Sequence, residues 1–531
     1  MAKRLVLTSV AILLAVAGLL PILAMLVKSV MVDDHFSLAF YQELLASGRE
    51  VTLMRHSMAL STLTTLFATV IGLPLGILLA KTDLPLRQLF ILLFTIPLLV
   101  PPYITAVSWF NLLGRDGLLA RYLDPSLAKT TSAWLFGLPG CTLVLSSTFL
   151  PIVMLLTIAS LKTVNPRLEE AGQLVAGWFS VLRGITIPLI LPGVLLAAML
   201  VFLLTFGEFG VPAFLGYDVF PVESFTQFSA FYNFSAATAA AIPLAVVAFL
   251  VLAAERFFMR EKTDQLRPAP DGEQRSFIGL GPLRRWVLAL VSLLCLIIVV
   301  VPVLALLLQS ATTSAYVEAL NRAGHSLLRS VVYALVGATL LTSVGFLSGY
   351  LIQTRTLPFW RSVDALTIFL FALPSTVTGI GLISLWNRPW TNFIYTTPAI
   401  IILGYLAKYT ALTSRITVST LAQIPSSMEE AAQVVGAGWV RRMGVIVAPL
   451  ARHGLVAGWL VGYIFCLRDM GITMMVYPPG HETLPVRIFT LMANGSPQLI
   501  AALCVIMIVA TLLPLSMLWM VFRTAMRGGA R

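Results

Sequence analysis

Residues 429–439 read Glu429-Glu430-Ala431-Ala432-Gln433-Val434-Val435-Gly436-Ala437-Gly438-Trp439, followed by Ala448-Pro449. An earlier stretch answers it: Glu169-Glu170-Ala171-Gly172-Gln173-Leu174-Val175-Ala176-Gly177-Trp178, then Ile187-Pro188. The two glutamate pairs stand 260 residues apart, so the chain carries one charged segment twice, each copy set between long apolar stretches. Self-similarity at a fixed period marks a duplicated architecture, here a duplicated membrane frame.

Working outward, other landmarks recur. Arg55-His56-Ser57 and Arg329-Ser330 open matching apolar stretches, with Ser57 and Ser330 273 residues apart. Leu84-Pro85 and Leu357-Pro358 close them at the same offset, whereas Pro97 and Pro374 differ by 277. The drop to 260 at the glutamates places a longer insert in the first half, most simply in an external loop at 114–131. Indels confined to loops leave a frame intact.

The chain of 531 residues is 58% hydrophobic and 11% charged, which excludes a soluble globular protein. About 20 apolar residues cross a bilayer as a helix. Twelve spans are predicted, near 5–28, 57–80, 88–112, 134–160, 187–213, 232–255, 286–310, 330–353, 364–386, 396–418, 448–467 and 497–522. The alternation of a membrane barrel is absent. The fold class expected is therefore all-α, a polytopic membrane protein with about 12 transmembrane helices as a parallel 6+6 repeat. Its parts are a first six-helix module at 1–255, a cytoplasmic linker at 256–285 holding Arg267-Pro268-Ala269-Pro270-Asp271-Gly272, and a second module at 286–531. Residues 38–45 read as a short amphipathic surface helix.

The first span, after Met1-Ala2-Lys3-Arg4, is too long for a signal core and reads as an anchor. Cys141, Cys295, Cys466 and Cys504 lack metal-ligand spacing and read as small core residues. The net charge of +12 is no sign of nucleic acid. With both termini inside, most of the 35 Lys+Arg fall on the cytoplasmic side, and so do both repeated segments.

Each repeated segment starts like a helix lying at a membrane surface. Ser426 and Glu429 have the capping-box spacing, and Asn165-Pro166 offers an N-cap followed by proline. Glutamates in the first turn favour the helix dipole, and Gly436 or Gly177 lets the chain turn before re-entry at Pro449 or Pro188. Twenty residues beyond each proline stands an acid two residues before a glycine: Glu208-Phe209-Gly210, and Asp469-Met470-Gly471 with Arg468 before the acid. Twenty helical residues span about 30 Å, which puts both acids near the outer ends of their helices. A helix-end hydrogen bond or ion pair at a gate is the preferred reading, with direct cation contact the other.

The repeated segments resemble the cytoplasmic EAA loop of bacterial ABC-importer permeases, the place where a separate ATPase docks. The signature is Glu-Ala-Ala, three residues, Gly, then an apolar stretch ending in Pro. The second copy fits in full; the first has Gly172 for the second alanine and lacks one residue near Ala176-Gly177. The resemblance implies ATPase-coupling loops at about 163–187 and 423–449. They carry Glu169, Glu170, Ala171, Gly172, Ala176, Gly177 and Pro188 in one, and Glu429, Glu430, Ala431, Ala432, Gly436 and Pro449 in the other. Glu208-Phe209-Gly210 and Arg468-Asp469-Met470-Gly471 resemble a segment of permeases related to the ferric-iron, thiamine, sulfate and molybdate importers. This assigns Glu208, Gly210, Arg468, Asp469 and Gly471 to a translocation pathway or gate.

None of the seven lysines follows a glycine, so no phosphate-binding loop is present and ATP and Mg would be used by a partner. No nucleophile or metal constellation stands out, nor does any resident cofactor. Lys408, inside a predicted span, reads as a helix–helix contact or a pathway residue. The expected function is the permease of a binding-protein-dependent importer in the bacterial inner membrane. Its expected partners are two ATPase copies, a periplasmic substrate-binding protein and membrane lipid, with no nucleic acid. The whole chain most resembles the ferric-iron permeases, with thiamine permeases next; a phosphonate, polyamine or oxyanion are alternative substrates. A twelve-helix secondary transporter would need coupling carboxylates near the midplane and would leave the paired loops unexplained.

Overall fold

The computed structural model describes residues 2–32, 35–37, 41–42, 46–115, 117–121, 124–229, 234–259 and 278–528. Among them the only paired strands are Met31–Val32 and His35–Phe36; nearly everything else is helix. Most of the segment 38–45 and most of the linker 256–285 lie outside the described residues.

The protein is an all-α polytopic membrane protein. Eight described helices are long and apolar enough to cross a bilayer, or up to eleven if each of three bent pairs is one span. The sequence reading expects twelve. The segment expected at 396–418 is a helix, Ala399–Leu421, that is not among those apolar spans. It is buried over most of its length, Lys408 included, so its neighbours rather than lipid set its composition.

Two spans expected to be continuous are broken. Arg87–Leu99 and Pro102–Leu113 meet at 100°, and Trp360–Ala372 and Ser375–Trp386 at 111°. A residue before proline is driven out of the helical region, and both Val100 and Leu373 adopt ψ 139. The repeat partner of Pro374 is therefore Pro101, at the offset of 273, while Pro97 lies inside a helix. The drop in offset falls after these breaks, where the first half carries the extra helix Pro125–Leu135.

Two compact units divide the chain. One holds Met1–Ser47, Glu223–Val246 and Thr312–Arg531; the other holds Gly48–Val222 and Val247–Ala311. Each unit thus takes a span from the opposite half. In the former, Gly18 lies so close to Leu370 that a Cβ would sit 2.2 Å from its Cδ1. In the latter, Val291, Cys295 and Val299 pack with Leu75, Phe90, Phe94 and Met154 in one apolar cluster.

Inside each unit the same small-residue stripe joins two helices. Gly72 and Gly76 of Gly48–Lys81 face Val153 and Thr157 of Leu138–Leu161, and a Cβ on Gly76 would meet Thr157 Cβ at 2.8 Å. Gly345 and Gly349 of Thr313–Thr354 face Thr413 and Thr417 of Ala399–Leu421, with 2.7 Å for the equivalent pair. Glycines four apart let backbones approach and replace missing hydrophobic drive with van der Waals contact. These helix pairs run to the points where the repeated loops leave and are anchored.

Candidate functional site

The first loop helix, Pro166–Gln173, is capped by Asn165, whose Oδ1 accepts from Arg167 N at 3.0 Å. Glu169 is fully buried: one carboxylate oxygen pairs with the Lys81 ammonium, the other accepts from Thr186 Oγ1 at 2.8 Å. Lys81 ends the helix Gly48–Lys81, so the ion pair ties the loop to the body of its unit. The chain emerging from the linker joins the same place. Ile278 N donates to Lys81 O at 2.7 Å, and Leu280 N to Asp83 Oδ1 at 3.0 Å.

The second loop helix, Ser426–Val434, starts after Pro425 without a side-chain cap. The capping box expected between Ser426 and Glu429 does not form, because Glu429 is engaged elsewhere. Its Oε1 accepts from Tyr350 OH at 2.8 Å and lies 3.8 Å from Arg442 Nε. Arg442 also donates to Gln433 Oε1 at 2.6 Å.

The helix ends differ as well. Gly436 has φ +83°, with Ala437 N bonded to Ala432 O and Gly436 N to Gln433 O, the glycine-terminated turn that closes a helix. The first copy closes on Gly172 O through Val175 N and Ala176 N, and Gly177 has φ −69°. The absent residue is therefore the left-handed one, and Gly177 corresponds to Gly438, at φ −63°, rather than to Gly436. Gly172 stands where an alanine Cβ would meet Ile185 Cδ1 at 2.7 Å and Val181 Cγ2 at 3.1 Å, so an alanine there would require those side chains to shift.

With the first glutamate of each pair turned inward, Glu170 and Glu430 are exposed, and so are Ala171 and Ala431. Beside them stand bare apolar side chains. Leu174 and Val175 are each 88% exposed; Val434 and Val435 are 86% and 82% exposed. Phe179 and Val440 extend the two patches. Apolar groups this open next to an acid, in both copies, mark an interaction surface. Pro188 and Pro449 each follow a widened π-helical turn, Leu182–Thr186 and Met443–Val447, that accommodates the ring and its missing N–H.

Glu208 and Asp469 each sit at a break between two helices and bond to the short helix beyond it. Glu208 Oε1 accepts from Gly210 N at 3.0 Å, at the start of Gly210–Phe214. Asp469 is 3% exposed and accepts from Thr473 N at 2.9 Å and Tyr409 OH at 2.7 Å, at the start of Gly471–Val476. Gly471 packs on Ser375, where a Cβ would be 2.5 Å away. Arg468 lies over the Phe465 ring at 4.6 Å. Lys408 donates to the carbonyl of Leu373, a group left open by the break at Pro374.

The sequence reading named the motif residues but missed their anchors: Lys81, Thr186, Tyr350 and Arg442. A signal existed for Lys81, a cation closing the apolar stretch that follows His56. Nothing in the sequence marked Tyr350, which lies 79 residues from its acid.

Residues 72–262 match the binding-protein-dependent transport system inner membrane component family. That stretch lies within a chain that carries several apolar membrane-spanning helices. The chain is similar to a putative ferric transport system permease protein of Haemophilus influenzae, at 23% identity over 84% of this chain and 73% of that one. The ferric transport system permease protein of Actinobacillus pleuropneumoniae is also 23% identical, over 79% of this chain and 64% of its own. A spermidine/putrescine transport system permease protein of Haemophilus influenzae is 29% identical over 35% of this chain and 71% of its length.

Proposed function

We propose that the chain is the membrane subunit of an ATP-driven importer for ferric iron. It receives substrate from an extracytoplasmic binding protein and is driven by two separate ATPase subunits that use ATP and Mg. The observation that carries this reading is the pair of loops, each with an inward glutamate holding it and an exposed glutamate beside bare apolar residues. A rigidly held helix with such a face fits a cleft in a partner and transmits that partner's movement. The termini and both loops are assigned to the cytoplasm, where the ATPase works.

Ferric iron is favoured by three relatives that are similar over most of the chain, all named as ferric or Fe(3+) transport permeases. A polyamine is the second substrate reading, favoured by the shorter similarity to the spermidine/putrescine permease. Reconstituting the chain with its ATPase and binding protein in proteoliposomes, and measuring ATP-dependent uptake of ferric iron against spermidine, tests both. Iron uptake that needs all three components is expected. Uptake of spermidine alone would replace the substrate, and uptake without any ATPase would remove the importer reading.

A further inference from the structure

The far end of the first span carries Lys28, which makes no ion pair with an acid among the described residues. The helical run Ala2–Ser29 has 28 residues, about 42 Å at 1.5 Å per residue. Its first turn lies at the level of the second coupling loop, because Lys3 stands 5.0 Å from the ring of Tyr350, the partner of Glu429. Lys28, in the last turn, therefore lies at the opposite membrane surface. Along this helix Leu20, Leu23, Leu26 and Val27 are exposed, a lipid-facing column that stops at Lys28.

In the same unit the helix Ser375–Trp386 packs on it, since a Cβ on Gly381 would stand 3.1 Å from Pro21 O; Lys28 and Arg388 each lie seven residues beyond that contact, where their positive charges repel. Neither side chain makes an ion pair or a side-chain hydrogen bond among the described residues. The loop that holds Arg388 is a built turn: Thr391 Oγ1 donates to Trp386 O at 2.7 Å and Thr391 N to Arg388 O at 3.0 Å. That turn projects Trp390 and Phe393, 73% and 71% exposed.

We propose that Lys28, Arg388, Trp390 and Phe393 form a binding site for an anionic phospholipid in the leaflet opposite the coupling loops. Two adjacent cations at the edge of a lipid-facing surface match one phosphate headgroup, which relieves their mutual repulsion. Tryptophan at that depth sits in the headgroup region, where its amphipathic ring is favoured over both water and hydrocarbon, and phenylalanine beside it offers apolar area to the upper acyl chains. Lipid is favoured over a soluble acidic partner because the cations continue an apolar column that faces the bilayer.

The test is native mass spectrometry of the detergent-purified full chain titrated with phosphatidylglycerol and, separately, phosphatidylcholine. Each of Lys28→Gln and Arg388→Gln should weaken phosphatidylglycerol retention about fivefold, and the double variant about 25-fold, at roughly one surface charge each. Phosphatidylcholine retention should not change, and Lys28→Arg should behave as wild type. Phosphatidylglycerol with brominated acyl chains should quench wild-type tryptophan emission more than that of Trp390→Phe. Unchanged phosphatidylglycerol retention in the double variant overturns the proposal. Charge-dependent binding of inorganic phosphate without phosphatidylglycerol binding would make the ligand a free anion. A double variant that keeps the lipid but loses association with the extracytoplasmic binding protein would make the surface a protein dock instead.

Discussion

Tyr350 donates its hydroxyl to Glu429 Oε1 at 2.8 Å, the role that the Lys81 ammonium fills for Glu169 in the other copy. Both donors lie near the end of the helix that precedes the proline-closed turn, so the duplicated loops share an anchoring plan. The chemistry differs. One copy is held by a buried ion pair with side-chain exposures of 7% and 0%, the other by a neutral hydroxyl with Arg442 at 3.8 Å.

The anchors should therefore fail unequally. Lys81→Met leaves the Glu169 carboxylate buried without its cation, a change that costs about 3–5 kcal/mol. Tyr350→Phe removes one hydrogen bond to a charged group, worth about 1.5–3 kcal/mol. Thermal unfolding in detergent should show the larger loss for Lys81→Met, and ATPase co-purification should fall with it. A Lys81→Met protein as stable as wild type would remove the anchoring role.

The exposed glutamates should behave in the opposite way. Glu430→Arg and Glu170→Arg reverse charge on the proposed docking faces while leaving the buried anchors intact. Transport and ATPase association are expected to drop at least tenfold for Glu430→Arg, less for Glu170→Arg, with normal membrane insertion and thermal stability. Full transport in both single variants and in the double variant would exclude docking through these loops.

Topology gives a separate check. Cysteines placed at Arg267 and Arg527 should be shielded from an impermeant thiol reagent in intact cells, and one at Asp124 should be labelled. The four native cysteines are buried and free, so background labelling should be low. Labelling at Arg267 from outside would put both coupling loops on the wrong side of the membrane.

The paired acids each cap a short helix after a break, so their neutralisation should act on the gate. Glu208→Gln with Asp469→Asn is expected to raise basal ATP hydrolysis about five- to thirtyfold, or to free it from the binding protein, at about 1–2 kcal/mol of lost capping interaction. Loss of transport with coupling intact would point instead to direct cation contact. A double variant with wild-type transport and wild-type coupling would leave both acids as packing residues.

What the sequence made legible follows from which forces act locally. The repeated loop helices were readable as helices because composition and spacing are local: paired acids and small residues within two turns, with a glycine just beyond. Asn165 could be read as a cap, since its partner is two residues away. The capping box at Ser426 and Glu429 was misread because Glu429 turns to Tyr350, a partner set by helix packing rather than by spacing. Pro97 was matched to Pro374 on similar flanking residues. The bend follows Pro101, because it is the residue before proline, Val100, that leaves the helix. The span at 396–418 was located by length, but its burial depends on every neighbour that surrounds it.

The exchange of spans between the two halves has a consequence for how the chain is made. Gly18 and Pro21 meet their partners Leu370 and Gly381 only after some 350 further residues have been synthesised. At ordinary translation speeds of about 5–20 residues per second, that interval is on the order of 20–70 s. Through it the first helix inserted is without its long-range partners, and its apolar surface is shielded by lipid or by a chaperone. The first half must likewise wait for residues 281–309 before its own unit closes. Splitting the gene at the linker would therefore not release two finished folding units; the first fragment would leave the ribosome without the helical run at 281–309 and carrying Met1–Ser47 and Glu223–Val246, which belong to the other unit.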